Sequence, residues 1–324
     1  MSRTGVLIVI GIALILSGAL IFVTVMSINH WDFTKLETTS YTTNTYPIGD
    51  TFDNLHIQAD TAKIILKPSD NGACRVVCFE SEQQKHNVTV KDGTLTVSLT
   101  ENEQKWYHYI GINVKSPSIT VYLPEQIYSS LTIRNNTGDI TLPKPFQFRT
   151  IDIQCSTSDI ECEAYATESL KIRTTTGDVD LENACMGDME IAVSTGDIEI
   201  RDIVCQGDIR IEYNTGDTEL SHITCKNLTA KGNTGDMDLE NVIASEKLSV
   251  NGNTTDIRFQ KCDAGEIFMK TRTGNIKGSL LSGKVFVANA NTGSVHVPSS
   301  GNGGVCEVSA GTGNIRITIE NTDR

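Results

Sequence analysis

Hydrophobic and polar residues alternate with a period of two through most of the chain, and a four-residue phrase, Thr-Gly-Asp-Ile or a close variant, punctuates the alternation. The phrase occurs ten times at spacings of 19 or 20 residues. Apolar residues stand six and four positions before its threonine and three and five positions after it. This pattern predicts two short strands per copy with one buried face, joined at a corner. The threonines are Thr137, Thr157, Thr176, Thr195, Thr215, Thr234, Thr254, Thr273, Thr292 and Thr312.

Glycine follows the threonine in eight of the ten copies, where it permits a backbone bend that a β-carbon would resist. These glycines are Gly138, Gly177, Gly196, Gly216, Gly235, Gly274, Gly293 and Gly313. One copy cannot bury its apolar face alone, but stacked copies cover one another and align like residues in ladders. We therefore predict an all-β fold, a parallel β-solenoid of about ten rungs of 19–20 residues, with right-handed coiling. Ten rungs make a rod on the order of 48 Å long.

The N-terminal pattern is different, because residues 6–28 contain no charge. As a helix they span about 34 Å, enough to cross a hydrocarbon core of about 30 Å. Arg3 precedes this segment, so we expect a signal anchor with residues 1–5 in the cytoplasm and the rest of the chain extracytoplasmic. A cleaved signal peptide is the alternative, but its apolar stretch would be shorter and would precede a small-residue cleavage site. We assign residues 29–54 to a stalk, 55–126 to a β-rich cap and 127–324 to the solenoid.

The cap assignment depends on strands that lack the repeat. Asp92-Gly93 lies between two alternating segments and predicts a hairpin. The aromatic segment 106–110 is interpreted as an apolar plug over the first rung, with exposed sugar-stacking aromatics as the alternative.

Three features resemble a known family: the segment Ala62-Lys-Ile-Ile-Leu-Lys-Pro-Ser-Asp, the lead-in Val121-Tyr-Leu-Pro and the Thr-Gly-Asp-Ile rungs that follow the anchor. Together they resemble the bacterial adhesin family of β-strand repeats, over about residues 57–319. The resemblance implies a single-pass or secreted surface protein with a β-solenoid, and some relatives lie near envelope-stress signalling components. It implies no catalytic or binding residues. The chain departs from the phrase where glycine is replaced, at Ser158 and Thr255, and where aspartate is replaced, at Asn275, Ser294 and Asn314.

The aspartates of the phrase form the first candidate site. They should lie in a row along one edge: Asp139, Asp159, Asp178, Asp197, Asp217, Asp236 and Asp256. Hydrogen bonds from the carboxylates to turn backbone would offset the repulsion between neighbours about 4.8 Å apart. The alternative is a calcium-binding edge, since hard oxygen ligands suit Ca²⁺, although each rung supplies only one acid.

The threonines are predicted to continue the inward alternation and to bond corner backbone with their hydroxyls. An outward threonine array would instead suit ice binding. The nine cysteines are interpreted as buried free thiols, with one disulfide or a metal site as the alternatives. His222 and His296 are interpreted as surface or strand residues.

Charge limits the partners. Lys and Arg number 27 and Asp and Glu 40, which gives a net charge of −13 and disfavours nucleic acid. We expect no cofactor and no catalysis, because spacings that vary by one residue leave no long insertion to wall a cleft, unlike carbohydrate-active β-helix enzymes. The favoured function is binding of an extracytoplasmic glycan, wall polymer or protein, as in adhesins. An accessory or scaffold role in envelope-stress signalling is the alternative, with Gly11 and Gly18 on one face of the anchor helix.

Overall fold

The computed structural model describes residues 3–32, 40–81, 84–100, 116–183, 185–299 and 301–320. One helix, α1 (Arg3–Ile28), opens the chain, and the rest of the described structure is strands and turns. The part Gly5–Ile28 is long and apolar enough to cross a membrane, and none of its most apolar window is buried against the protein. The helix forms where predicted because that segment has neither charge nor proline.

Twenty-four strands follow α1. The first seven are β1 (Tyr41–Ile48), β2 (Asn54–Gln58), β3 (Lys63–Pro68), β4 (Cys74–Ser81), β5 (His86–Lys91), β6 (Thr94–Leu99) and β7 (Ser118–Leu123). The next thirteen are β8 (Ile127–Thr137), β9 (Ile140–Leu142), β10 (Gln147–Thr157), β11 (Ile160–Cys162), β12 (Tyr165–Thr176), β13 (Val179–Glu182), β14 (Asp188–Thr195), β15 (Ile198–Val204), β16 (Asp208–Thr215), β17 (Thr218–Thr234), β18 (Met237–Thr254), β19 (Ile257–Thr273) and β20 (Ile276–Leu280). The last four are β21 (Val285–Thr292), β22 (Val295–His296), β23 (Val305–Thr312) and β24 (Ile315–Ile319).

The repeat copies stack as a parallel β-solenoid, as predicted. Equivalent residues of neighbouring copies pair directly, as Ile153 does with Ile133 on one side and with Ile172 on the other. The ten threonines form one continuous ladder, and Thr157 pairs with both Thr137 and Thr176. The solenoid has about nine turns, slightly fewer than the ten that the copies predict.

Two bends shape each turn. The strand before the threonine (the first sheet) and the strand after it (the second sheet) meet at the glycine, which has a positive φ in all eight copies that contain it. A second bend lies seven positions after the threonine, and in β15, β17, β18 and β19 it falls inside the strand. There a non-glycine residue adopts a left-handed φ of 50–54° in five successive turns, a conformation that Asn and Asp tolerate best. These residues are Asn183, Asp202, His222, Asn241 and Lys261.

The core is a set of apolar columns inside the coil. In a typical turn Met189, Ile191, Ile198, Ile200 and Ile203 are all at most 1% exposed. Complete burial of each such side chain stabilises the fold by roughly 1.5–3 kcal/mol, so the stacked turns cooperate strongly. The apolar columns of the first and the last turn are covered by a neighbouring turn on one side only. The two ends of the rod therefore differ from its middle.

At the C-terminal end the last two copies exchange places. β23 and β24, which are last in the sequence, lie between the β19–β20 turn and the β21–β22 turn. Thr273 therefore pairs with Thr312, and Thr312 with Thr292. The outermost turn is therefore β21–β22 and not β23–β24, which is last in the sequence.

The N-terminal end shows the same arrangement. β2 lies between β8 and β6, and β3 pairs with both β9 and β7, so residues 54–68 form a turn of the solenoid and the β6–β7 turn lies outside it. The antiparallel strands β5, β4 and β1 then cover this end.

Two of the predicted boundaries differ from these strands. The predicted stalk, 29–54, contains β1, a strand of the folded domain, and the predicted cap, 55–126, contains two solenoid turns. The polar composition predicts the stalk and the missing phrase predicts the cap, whereas strand pairing continues through both. The aromatic segment 106–110 lies outside the described residues.

Candidate functional site

The aspartates of the phrase form a hydrogen-bonded ladder along one edge of the solenoid. Asp178 accepts at Oδ1 a bond of 2.8 Å from the backbone N–H of Asp197, and Asp197 accepts one of 2.7 Å from Asp217. The same bond joins Asp159 to Asp178, Asp217 to Asp236, and Asp256 to Asn275. Each carboxylate thus bonds the next turn rather than its own turn. Asp139 instead lies 3.8 Å from the ammonium of Lys63.

The ladder depends on the glycine that precedes each donor. Asp197 follows Gly196, whose φ is 145°. Ser158 and Thr255, which replace the glycine in two copies, do not have a positive φ. Within the described residues the N–H groups of Asp159 and Asp256, which follow them, make no bond to the carboxylate of the preceding turn. The positive φ of the glycine therefore directs the N–H of the following residue toward the carboxylate of the adjacent turn. Where aspartate is missing, the side-chain amide oxygens of Asn275 and Asn314 accept the equivalent bond.

The threonine column lies on the outside. All ten threonine side chains are exposed, so the prediction that they continue the inward alternation is wrong. The residue before each threonine is also mostly exposed, as Ser194 and Asn214 are, because the period of two breaks as the chain enters the corner. This exposure meets one requirement of the ice-binding alternative. The column is only one residue wide, however, and it runs beside the charged aspartates, whereas ice binding needs a flat neutral array.

Inward side chains two positions before the threonine make the corner bonds that were expected of the threonine itself. Thr174 donates to the carbonyl of Thr176 at 3.0 Å, and Thr271 donates to the carbonyl of Thr273 at 3.2 Å. Asn135 caps its corner in the same way through its amide. Sequence reasoning missed these residues, although their polar character at an otherwise apolar position was the available signal.

Three potential metal ligands meet only once among the described residues, at Cys78, Glu80 and His86, whose ligand atoms lie within 4.8 Å of one another. The aspartate ladder contains no such group of three, and the calcium edge stays a prediction. Glu80 is buried and accepts hydrogen bonds from the side chains of Asn44 and Tyr46. It also bonds the backbone N–H and the ring Nδ1 of His86. Burial alone would raise the pKa of Glu80, but these hydrogen bonds outweigh it and lower the pKa. Because both carboxylate oxygens are engaged, the cluster acts as a structural tie between β1, β4 and β5.

A second column of charges crosses the outer face of the second sheet, four positions after each threonine. In spatial order it reads Glu161, Asp180, Glu199, Glu219, Asp238, Arg258, Lys277, Arg316 and His296, each paired in register with the next. The column changes sign once, between Asp238 and Arg258. We call its positive part, Arg258, Lys277 and Arg316, the basic end.

The members of the basic end differ in their partners. Arg258 is neutralised by Asp236, Asp238 and Asp256 at 2.9–3.6 Å. Lys277 and Arg316 are exposed and, within the described part of the chain, have no ion pair. Like charges that face each other across strands are destabilising without a counter-ion, so these two side chains can attract an anion.

A surface groove of about 470 Å³ lies where the column changes sign. Its acidic side includes Glu219, Asp238 and Glu240, and its basic side includes Arg258, Lys277 and Arg316, with Glu320 following Arg316 on that side. Gly278 lies at an inward position that apolar side chains hold in the other turns, and it lines the groove beside Phe259. The groove can therefore contact a ligand with cations on one side and carboxylates on the other.

The family follows from a comparison of the whole solenoid with known sequences. The model of the Toastrack DUF4097 family matches residues 52–215, 188–248 and 206–324, which together extend from the first solenoid turn through the last. The chain belongs to the Toastrack DUF4097 family. The matched region begins before the first glycine-containing copy, in agreement with the turn that β2 and β3 form in this Toastrack domain. No curated protein matches the chain.

Solved structures resemble the Toastrack chain at low identity. A "putative adhesin" from Parabacteroides distasonis is 13% identical, with a TM-score of 0.42, over 86% of this chain and 98% of the other. A "putative adhesin" from Bacteroides fragilis is 15% identical, with a TM-score of 0.33, over 88% and 99%. A "putative lipid binding protein" from Parabacteroides distasonis is 13% identical, with a TM-score of 0.46, over 85% and 96%. These similarities are too distant to carry an argument about a ligand.

All nine cysteines of the Toastrack chain are buried free thiols, as predicted. Cys205 and Cys225 lie at equivalent inward positions of neighbouring turns, and Cys185 precedes them in the stack. Burial raises the pKa of Cys225 and of Cys162 to about 12. These two thiols therefore stay protonated at neutral pH and pack as small apolar side chains, whereas a hydrogen bond with Cys185 lowers the pKa of Cys205.

Proposed function

We propose that this Toastrack chain is a non-catalytic binding protein that α1 holds at the outer surface of a membrane, and that its second sheet binds an extended anionic polymer. The observation that carries the proposal is the basic end, where Lys277 and Arg316 lie unpaired on neighbouring strands beside the groove. A glycan or wall polymer with anionic groups supplies the counter-ions that this column lacks.

The rest of the chain explains why binding would be local. With a net charge of −13 the rod repels polyanions over most of its surface. Attraction is confined to the basic end, which orients a polymer relative to the groove. Charge-assisted hydrogen bonds contribute roughly 1.5–3 kcal/mol each, so two side chains supply a useful share of the affinity of a weak, multivalent contact.

Anchoring rests on α1 and its flanks. Arg3 begins α1, and the uncharged part that follows it, Gly5–Ile28, is long enough to cross a bilayer, which favours a cytoplasmic N-terminus and an extracytoplasmic solenoid. A cleaved signal peptide would release the solenoid, so the length of the mature chain in membrane fractions distinguishes the two.

The test is a binding screen of the full chain in detergent against purified anionic and neutral wall polymers and glycans. We expect saturable binding to anionic polymers that weakens as salt rises. The double substitution Lys277→Gln and Arg316→Gln should lower the affinity at least about tenfold, or about 1.4 kcal/mol.

The matched control is Lys171→Gln with Arg173→Gln, which removes the same charges from the first sheet, where Glu190 pairs with both. This control should bind as the wild type does. Equal affinity of the two double variants, or no binding to any anionic polymer, would overturn the proposal. In the latter case the scaffold role gains weight, since Gly11 and Gly18 leave α1 open to another helix.

A further inference from the structure

The cover that β1, β4 and β5 form at the N-terminal end of the rod contains three side chains of the types that bind metals. Cys78 and Glu80 lie on the buried face of β4, and His86 is the first residue of β5. Their exposed fractions are 0%, 0% and 6%, and their ligand atoms lie within 4.8 Å of one another. A thiol, a carboxylate and an imidazole are the ligand types that proteins use for zinc.

Strand geometry holds the three ligands together. Cys78 and Glu80 are two residues apart on one strand, so the alternation of side chains places both on the same face. The backbone N–H of His86 donates to Oε2 of Glu80 at 2.6 Å, which fixes the start of β5 against that face. The ring Nδ1 of His86 lies 2.7 Å from the same oxygen.

A second layer of hydrogen bonds orients the carboxylate of Glu80. Asn44 and Tyr46, both on β1, donate to its other oxygen, Oε1, at 2.6 and 3.1 Å. These bonds leave Oε2 facing the ring of His86. Hydrogen bonds from an outer layer of residues orient the ligands in the same way in known metal sites.

The hydrogen bonds of Glu80 account for the tie between the strands, but they do not involve Cys78. This side chain is fully buried, and within the described residues its thiol makes no hydrogen bond. Val76 fills the buried position two residues earlier, so packing alone does not require sulfur here. A role as a metal ligand accounts for a thiol beside a carboxylate and an imidazole.

We propose that Cys78, Glu80 and His86 bind one Zn²⁺ ion, which joins β4 to β5. Binding releases the thiol proton of Cys78 to solvent, and a neutral His86 binds through Nδ1 with its ring proton on Nε2. One thiolate and one carboxylate balance the charge of the ion, which suits a buried site. Water fills the fourth tetrahedral position.

The proposed ion requires only a small movement. A nitrogen and an oxygen that bind the same tetrahedral zinc lie about 3.3 Å apart, so Nδ1 of His86 and Oε2 of Glu80 separate by roughly 0.6 Å. The proposal does not rest on polymer binding, which is assigned to the basic end near the C-terminus. Because the ion binds the folded cover, zinc stabilises this end of the rod.

The test is a titration of the full chain in detergent with Zn²⁺ and with Co²⁺, after a chelator has removed bound metal. We expect one Zn²⁺ per chain, release of about one proton and a higher melting temperature. Co²⁺ should give the intense d–d bands of a tetrahedral site and a thiolate-to-cobalt charge-transfer band. A wild-type chain that shows no saturable zinc binding, or no charge-transfer band, overturns the proposal.

Cys78→Ser should weaken zinc binding at least about tenfold and remove the charge-transfer band. The matched control is Cys74→Ser, which removes another buried thiol from the same strand, outside the ligand group. It should bind zinc as the wild type does, and equal zinc affinity in the two variants overturns the proposal. If Cys78→Ser does not fold, the cobalt spectrum of the wild type decides. Loss of polymer binding in a chain that still binds zinc would overturn the proposed function alone.

Discussion

Asp178 accepts at Oδ1 a hydrogen bond of 2.8 Å from the backbone N–H of Asp197, which lies one full turn further along the rod. This bond links carboxylates that would otherwise only repel each other. We expect Asp178→Ala to lower the free energy of unfolding by about 0.5–1.5 kcal/mol, because the Asp197 N–H loses its acceptor. Asp178→Asn keeps an oxygen acceptor, as Asn275 does naturally, and should be close to neutral. Urea unfolding measures both, and equal losses in the two variants would contradict the ladder.

Calcium should leave the melting temperature unchanged. One oxygen of most ladder carboxylates already accepts an N–H, and among the described residues no three ladder ligands lie close enough to share an ion. Thermal unfolding in chelator and in millimolar calcium provides the comparison. A rise of several degrees would instead support the calcium-binding edge.

Gly196→Ala should be strongly destabilising. The φ of Gly196 is 145°, and a β-carbon there would lie 2.1 Å from the carbonyl oxygen of Gly177. Relief of that clash requires movement of stacked backbone, so we expect a loss of about 3 kcal/mol or more in urea unfolding. Ser158→Gly is the control at an equivalent position without the positive φ, and it should change little. A stable Gly196→Ala variant would show that the corner can relax.

Acid should weaken the N-terminal end of the rod through Glu80. Its hydrogen bonds lower its pKa below the ordinary value of 4.5, so its stabilising contribution is complete above that pH and is lost as the pH falls through the lower, folded-state pKa. Glu80→Gln should cost about 1.5–3 kcal/mol at neutral pH, because charge-assisted bonds become neutral ones. The variant should also lose part of the acid dependence of unfolding. An unchanged pH profile in the variant would exclude Glu80 as a source of that dependence.

All nine thiols should react with a thiol reagent only after unfolding, with the same count before and after reductant. Their burial keeps the reagent away from them in the native state. A count that rises by two after reductant would reveal a disulfide.

The repeat phrase was sufficient to predict the strands, the parallel stacking and the corner glycines, because those properties follow from the spacing of apolar residues. It did not predict the exposed threonines, since a period of two gives no sign of where alternation breaks at a corner. The turn of residues 54–68 was missed because its corner reads Asp60-Thr61-Ala62-Lys63, with neither glycine nor aspartate after the threonine. Strand pairing identifies it, including the pairing of Thr61 with Thr137.

The groove and the basic end could not be predicted from the sequence. Each of their residues was visible in the sequence, but Lys277 and Arg316 are 39 positions apart and become neighbours only because the last two copies exchange places. Near-identical copies carry no sign of that exchange.

The exchanged turns also constrain how the chain can be made. A ribosome delivers residues 285–296 before residues 305–319, yet the later segment occupies the inner level. Strands β21 and β22 can therefore take their final positions only after residues 305–319 have been synthesised, or they must move outward when those residues fold. Synthesis of residues 305–319 is then required before this end of the rod can form. A chain cut short before residue 305 would lack β23 and β24, with which β21 and β22 pair.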